Sequence, residues 1–206
     1  MTVVEPIPWF VEPVRAALAA TPSTTMPREG SRPSAVLLML YDHGGEPGLV
    51  FTKRSELVRH HKGEISFPGG GMEPGDRSLE DTAIRETVEE LGVDPAEITI
   101  IGDMAEMLTY VTGFLVKPYV AHVPARKVYA HSEAEIAEVL RVPLRTLVEV
   151  GREAEWEARG YRFTTNVFEV GPNVIWGATG KILRDFLDVV APALELPWPR
   201  PAGTTR

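Results

Sequence analysis

The chain has 206 residues, of which 44% are hydrophobic, and its formal net charge is −8 at pH 7. This length and composition suit one domain with a substantial core, and the acidic balance disfavours general nucleic-acid binding. The absence of cysteine excludes disulfides, thiol catalysis and cysteine-bound zinc.

The sequence also bears on where the protein works. Residues 1–6 lack the basic region and the long apolar core of a secretory signal. The longest apolar run, residues 35–41, is too short to span a bilayer. We therefore expect a cytoplasmic protein without a membrane segment, and a homodimer is compatible with the sequence.

Apolar spacing and turn signals predict alternating helices and strands along the chain. In chain order, these are a helix at 9–20, strands at 35–41 and 48–52, a helix at 78–92, strands at 98–104 and 115–122, a helix at 132–139, strands within 153–170 and a helix at 178–190. Interleaved elements of this kind imply an α/β fold, with helices layered around a mixed sheet.

Composition shifts divide the chain into three parts. Residues 1–33 are predicted to be an N-terminal helix followed by a linker rich in Pro, Ser and Thr. Residues 34–190 are predicted to form the catalytic domain. Residues 191–206 are rich in proline, and we expect them to be a loosely ordered tail.

The helix at 78–92 has well-marked ends. Ser78 and Asp81 have the spacing of a capping box, and Gly92 can end the helix in a left-handed conformation. Its packing face is predicted to consist of the aliphatic residues Ile84, Val88 and Leu91.

The other side of this helix carries Glu86, Glu89 and Glu90, which fall within about 100° of helix surface. Like charges four residues apart destabilise an isolated helix by about 0.2–0.5 kcal/mol, so the cluster indicates a missing cation. Carboxylate oxygens suit Mg²⁺ or Mn²⁺, which would in turn hold a phosphate substrate. A solvated acidic face is the alternative interpretation.

Basic residues are concentrated just before the glycine-rich residues 67–71. They are Lys53, Arg54, Arg59, His60, His61 and Lys62. A positive patch in an acidic protein indicates an anionic small-molecule ligand, whose phosphates these side chains would bind. A solvated strand end is the alternative.

The glycine loop and the acidic helix together resemble the Nudix hydrolases, whose box reads G-x5-E-x7-R-E-U-x-E-E-x-G-U, where U is aliphatic. Residues 85–93 match its second half, except that Thr87 occupies an aliphatic position. Counting from Gly70 places Asp76 at the first acidic position, with one extra residue before Arg85. Gly70 and Gly71 therefore compete for the role of the glycine whose carbonyl binds metal.

A second motif resembles the coenzyme A pyrophosphatases. Their pattern L-L-T-x-R-S-x3-R-x3-G-x3-F-P-G-G is matched from Val50 to Gly70 with two hydrophobic substitutions. Further similarities occur at residues 112–118, 132–144 and 176–179, so the resemblance covers roughly residues 35–190.

The resemblance implies an α/β/α sandwich and metal-dependent hydrolysis of coenzyme A to 3′,5′-ADP and 4′-phosphopantetheine. The implied catalytic residues are Arg85, Glu86, Glu89 and Glu90, and the implied ligands of Mg²⁺ or Mn²⁺ are Gly70, Glu86, Glu89 and Glu90. The substrate-binding residues are expected to be Lys53, Arg54, Arg59, His61 and Lys62. A carboxylate from the segment Glu133, Glu135 and Glu138 is a further candidate ligand.

Two other functions are compatible with the same motifs. One is a Nudix enzyme that acts on another nucleoside diphosphate derivative, such as ADP-ribose. The other is a noncatalytic nucleotide-sensing module, against which the intact trio Glu86, Glu89 and Glu90 argues.

Overall fold

The computed structural model describes residues 6–26, 30–57, 62–109, 113–126, 128–158 and 160–198. Four α-helices and eleven strands lie within these ranges. The helices are α1 Val11–Ala19, α2 Leu79–Leu91, α3 Leu144–Val150 and α4 Gly177–Val190. The strands are β1 Arg32–Asp42, β2 Pro47–Arg54, β3 Ile65–Ser66, β4 Gly69–Gly71, β5 Thr99–Asp103, β6 Met107–Leu108, β7 Phe114–His122, β8 Ile136–Pro143, β9 Gly151–Ala158, β10 Tyr161–Val170 and β11 Asn173–Ile175. None of the helices in these ranges has the length and hydropathy needed to cross a bilayer.

Eight of the strands form one mixed sheet. Its main path runs β3-β2-β1-β7-β5, while β4 pairs with β1, β6 with β7 and β8 with β2. Strands β1 and β7 are parallel, and the other pairs are antiparallel. The remaining strands form an antiparallel sheet in the order β11-β10-β9.

The central strand β1 supplies both faces of the core. Side chains alternate along a strand. Ala35, Leu37 and Met39 pack with residues of α2 on one face, whereas Leu38 and Leu40 pack with α1 and α4 on the other. The predicted α/β/α sandwich around a mixed sheet is therefore confirmed.

Helix α2 begins and ends where the sequence predicts, but it presents a different face to the core. The Ser78 hydroxyl accepts a hydrogen bond from the backbone N–H of Asp81 (3.1 Å), and Gly92 is left-handed with φ 63°. The buried residues of the helix are Leu79, Thr82, Ala83, Thr87 and Leu91. The prediction that Ile84 and Val88 pack inward is wrong, since both are partly exposed.

Thr87 can be part of this buried face although it is polar. Its hydroxyl donates a hydrogen bond to the carbonyl of Ala83 (2.8 Å), so the buried oxygen is satisfied within the helix. A polar residue at a position where an aliphatic one was expected therefore still packs against the sheet.

The helix predicted at 132–139 is also wrong. A single turn forms, in which the N–H groups of Glu135 and Ile136 donate to the carbonyl of Ser132. The chain then continues as strand β8, which pairs with β2 along its length. Pairing with a central strand outweighs the local helical preference of this segment.

Both ends of the described chain pack on the face of the sheet opposite α2. Phe10, Val14 and Leu18 of the α1 region are buried in the same cluster as α4. Beyond α4, Leu194 is buried and the Trp198 ring stacks on Phe168 at 6.1 Å between centroids. Residues 192–198 are thus ordered, contrary to the expected loose tail. The division of the chain at residues 33 and 190 stays a prediction.

Replacing Trp198 tests the packing of this segment. Trp198→Ala removes the stacking on Phe168 and the hydrogen bond from the indole N–H to Asp188 (2.6 Å). We expect the free energy of unfolding to fall by about 2 kcal/mol in urea titrations. The control Val128→Ala alters a side chain that is 79% exposed, and it should change stability by less than about 0.5 kcal/mol. Equal stability of Trp198→Ala and wild type would contradict this packing.

Candidate active site

The glycine strand β4 brings the backbone of the loop against helix α2. β4 pairs with β1 so that Gly69 lies opposite Val36 and Gly70 opposite Ala35. Gly69 has φ 151°, and an added Cβ there would lie 2.3 Å from the carbonyl oxygen of Ala35. Only glycine fits at this position, which holds β4 close to the central strand.

Arg85 organises the charged groups of the site. Its Nε and Nη2 donate to the two oxygens of Asp76 at 2.9 and 3.1 Å, and Nη2 also donates to the carbonyl of Gly71 at 3.1 Å. Its Nη1 donates to Glu86 and Glu89, each at 3.1 Å. These bonds use all of the N–H donors of a guanidinium group.

The pairing of Asp76 with Arg85 shows how the extra residue is accommodated. The Asp76 carboxylate is only 5% exposed and also accepts hydrogen bonds from the Thr82 hydroxyl and the N–H of Glu73. The bidentate Arg85 contact, followed by the bond from Glu73, holds the pKa of Asp76 far below its usual range. Asp76 therefore binds Arg85 although the sequence has one extra residue between them compared with the Nudix box.

Glu86 and Glu90 are two partly buried carboxylates of the site. Burial raises the pKa of Glu90 to about 7, and the charge of Glu86 adds to the increase, whereas the Gly69 N–H (3.4 Å) and Arg54 oppose it. Burial also raises the pKa of Glu86, against the opposing effect of Arg85. Two desolvated carboxylates thus interact unfavourably at one place.

The chemistry of this pair fits a hard divalent cation. A cation between Glu86 and Glu90 would offset both their desolvation and their repulsion. Gly70 makes room for the Glu86 carboxylate, since an added Cβ at Gly70 would lie 2.4 Å from it. Within the described residues, however, no group of three or more His, Asp or Glu side chains is close enough to share a metal. A bound ion would need further oxygen ligands from the backbone, water or substrate.

The third glutamate, Glu89, is more exposed than Glu86 and shares Nη1 of Arg85 with it. The Glu89 side chain is 60% exposed and is bound to Arg85 on the outer surface of α2. Its predicted role as a metal ligand or base stays a prediction.

The basic residues at the end of β2 point to opposite sides of the sheet. Arg54 lies on the side of α2, where its charge acts on Glu90. Lys53 points the other way and donates to Asn173 of β11 at 2.9 Å. Lys62 is exposed. The predicted ligands Arg59 and His61 lie outside the described residues.

Comparison with known proteins adds an independent observation. The family model described as NUDIX domain matches residues 31–165, which is more than half of the chain. The chain belongs to the Nudix family. It is 35% identical over 142 residues to NudL of Cronobacter sakazakii, an uncharacterized Nudix hydrolase, covering 68% of this chain and 73% of the relative. It is 34% identical to NudL of Citrobacter koseri over 159 residues, covering 75% and 81%.

A solved structure shows the same fold. The MutT/nudix family protein of Enterococcus faecalis superposes with a TM-score of 0.50 at 14% identity, covering 84% of this chain and 70% of the other. At this identity the similarity supports the Nudix fold alone.

Two polar contacts of the Nudix site have little or no signal in the sequence. The Gly71 carbonyl, which binds Arg85, is invisible at that level because any residue carries a carbonyl. The charge of Glu135 contributes to the raised pKa of Glu90. The backbone carbonyl of Glu135 accepts a hydrogen bond from the N–H of Ser55 at 2.8 Å. The Glu135 carboxylate was a candidate from the sequence, but the wrong helix assignment obscured its position.

The two glycines provide a matched test of the cation site. We expect Gly70→Ala to weaken Mn²⁺ binding at least tenfold in calorimetric titrations, because the added Cβ displaces Glu86. In Gly71→Ala the nearest atom to the new Cβ is 3.9 Å away, so binding should stay within about threefold of wild type. Equal Mn²⁺ affinity of the two variants would argue against Glu86 as a ligand.

The Asp76 to Arg85 contact predicts a pH-dependent part of stability. Because the pKa of Asp76 is lower in the folded state, its contribution is complete above the unfolded pKa of about 4 and is lost as pH falls through the folded value. Asp76→Asn should therefore be less stable than wild type at pH 7, and the difference should shrink below about pH 4. Urea titrations at several pH values measure this, and a difference independent of pH would contradict the assignment.

Proposed function

We propose that the protein is a metal-dependent pyrophosphatase that hydrolyses coenzyme A or acyl-coenzyme A to 3′,5′-ADP and (acyl-)4′-phosphopantetheine. The observation that carries the proposal is that the charge of Arg54 acts on the Glu90 carboxylate and opposes the rise in its pKa that burial causes. Arg54 belongs to the motif that resembles coenzyme A pyrophosphatases, and Glu90 belongs to the Nudix box. This interaction supports the proposal that both motifs contribute to one site.

The connection between the motifs supports this assignment. The N–H of Arg54 donates to the carbonyl of Glu64, and the N–H of Gly63 donates to the carbonyl of Arg54. Strand β3 then pairs with β2 and leads directly into β4. Arg54 of the first motif is thus hydrogen-bonded to residues 63 and 64, which lead through β3 into the glycine strand.

Arg54 also has the unused donor that an anionic substrate needs. Of the buried side-chain polar atoms in the described ranges, Nε of Arg54 is one of those without a hydrogen-bond partner. A phosphate oxygen would satisfy it, with a charge-assisted bond of the kind that arginine makes to phosphates. The additional 3′-phosphate of coenzyme A gives the neighbouring basic residues a second anionic group to bind.

The acidic residues would bind the cation and accept the proton of the attacking water. Glu86 and Glu90, with the carbonyl of Gly70, would hold Mg²⁺ or Mn²⁺. Arg85 fixes the Glu86 carboxylate through Nη1 and ties α2 to the glycine strand through Gly71. When bound, the cation lowers the pKa of the attacking water and offsets charge on the pyrophosphate. Either Glu89 or one carboxylate of the pair Glu86 and Glu90 would accept the proton of that water.

Product analysis with coenzyme A tests the proposal. In Mg²⁺ and ¹⁸O-labelled water, we expect 3′,5′-ADP and 4′-phosphopantetheine, with one labelled phosphate, and faster turnover of coenzyme A than of its dephospho form or ADP-ribose. Glu90→Gln should lower kcat on the order of 10²-fold or more, because it removes a ligand or base. The control Glu149→Gln changes an exposed carboxylate of α3 and should leave kcat unchanged.

Two outcomes would redirect the assignment. Faster turnover of ADP-ribose than of coenzyme A would identify a Nudix enzyme for another nucleoside diphosphate derivative. Binding of coenzyme A without metal-dependent hydrolysis would identify a nucleotide-sensing module.

A further inference from the structure

A cleft lies near the C-terminal end of strand β1, whereas the glycine strand pairs with its N-terminal part. Its volume is about 300 Å³, and it is lined by Tyr41, Asp42, His43, Gly44, Ala125, Arg126 and Arg141. Ala35 of β1 pairs with Gly70 of the glycine strand, and Asp42 is the last residue of β1. The length of strand between Ala35 and Asp42 is roughly 20 Å. The cleft is therefore separate from the carboxylate pair of α2.

One of the residues that line this cleft has a buried hydrogen-bond donor without a partner. In the described parts of the chain, the buried side-chain atoms without a partner are Nε of Arg54, Nε of Arg126 and the hydroxyl of Tyr129. The first belongs to the candidate active site. Nε of Arg126 belongs to a residue that lines this cleft. Tyr129, three residues further along the chain, is only 5% exposed, and burial raises the pKa of its hydroxyl against the opposing charges of Arg141 and Arg126. Unpartnered buried donors are rare in proteins and indicate a missing acceptor.

The charged groups around this donor are two arginines, Arg126 and Arg141, and two carboxylates, Asp42 and Glu97. Glu97 pairs with Nη2 of Arg126 and leaves its Nε unused. Asp42 accepts from the N–H of Gly45 within its own turn. Arg141 donates to the carbonyl of Arg126, a neutral group, so its positive charge is not offset by that contact.

We propose that this cleft binds a phosphate group, either as the free ion or as the end of a small phosphomonoester. Nε of Arg126, the Tyr129 hydroxyl and the Arg141 guanidinium supply N–H and O–H donors for its oxygens. The volume of about 300 Å³ is at the lower end of small-ligand sites and leaves room for a short ester group.

A ligand at this position would restrain the C-terminal end of α2. Tyr129 is buried in the same cluster as Leu91 and Val93. An added Cβ at Gly92 would lie 2.9 Å from Cβ of Ala130, so this segment is in close contact with the C-terminus of α2. Phosphate that fixes Tyr129 would therefore also restrain the last turn of α2, whose final hydrogen bond runs from the Gly92 N–H to Val88.

Calorimetric titration of the full chain with inorganic phosphate, in EDTA, tests the site. We expect saturable binding that weakens at least tenfold in Arg126→Gln and about threefold or more in Tyr129→Phe, which loses only the hydroxyl. Arg162→Gln, a change at an exposed arginine of β10, and Arg54→Gln, at the proposed active site, should bind as wild type does. Ribose 5-phosphate distinguishes the sources: tighter binding than phosphate assigns the cleft to a monoester, and equal binding assigns it to the free ion.

Two direct measurements complete the test. Crystals soaked in tungstate should show anomalous density within hydrogen-bonding distance of Nε of Arg126, and phosphate should slow hydrogen exchange at the Gly92 amide. Loss of phosphate binding in Arg54→Gln but not in Arg126→Gln would place the anion at the active site and overturn the proposal. So would absence of saturable binding, or tighter binding of acetate than of phosphate. Failure of the coenzyme A assay would leave these outcomes unaffected, since they do not depend on hydrolysis.

Discussion

The guanidinium of Arg85 is the constraint on which the candidate active site depends. It joins three parts of the chain at one point: the turn at Asp76, the glycine strand at Gly71 and the acidic face of α2. Every N–H of the group is engaged, so its position is determined by geometry rather than by charge alone. A lysine at this position would supply three donors from a single atom and could not bridge the same partners.

This arrangement gives the two sides of α2 different environments. Glu86 and Glu90 lie next to the sheet, where burial raises the pKa of each. Glu89, one residue before Glu90, lies in solvent. The sequence places the three carboxylates on one arc of the helix, but the contact with β4 divides that arc into a partly buried and an exposed part. Chemically similar side chains of one helix thereby differ in their exposure to solvent.

Much of the fold could be predicted from local sequence signals, because those signals act within a few residues. The Ser78 cap, the left-handed Gly92 and the buried strand at the apolar run 35–41 are all local features, and each was confirmed. The predictions that failed depend on distant partners. Strand β8 exists because β2 is available to pair with it, and Trp198 is ordered because Phe168 offers a surface for stacking.

The same distinction applies to the candidate site. The Nudix resemblance placed Asp76 in the same box as Arg85 and the glutamates, and residue spacing placed the three glutamates on one side of a helix. Neither could show that neighbouring Lys53 and Arg54 act on opposite sides of the sheet, since strand alternation assigns functions only once the location of the helix is known.

The packing of α1 against α4 and the turn at Pro192–Leu194 has a consequence for protein engineering. The first and last described segments meet on the side of the sheet away from the glycine strand and the carboxylate pair. A reporter domain fused directly to the first or the last described residue would therefore lie on the side of the sheet away from α2. A short peptide joining these two described residues would give a circular permutant, with new termini opened at the exposed hairpin turn before Pro47.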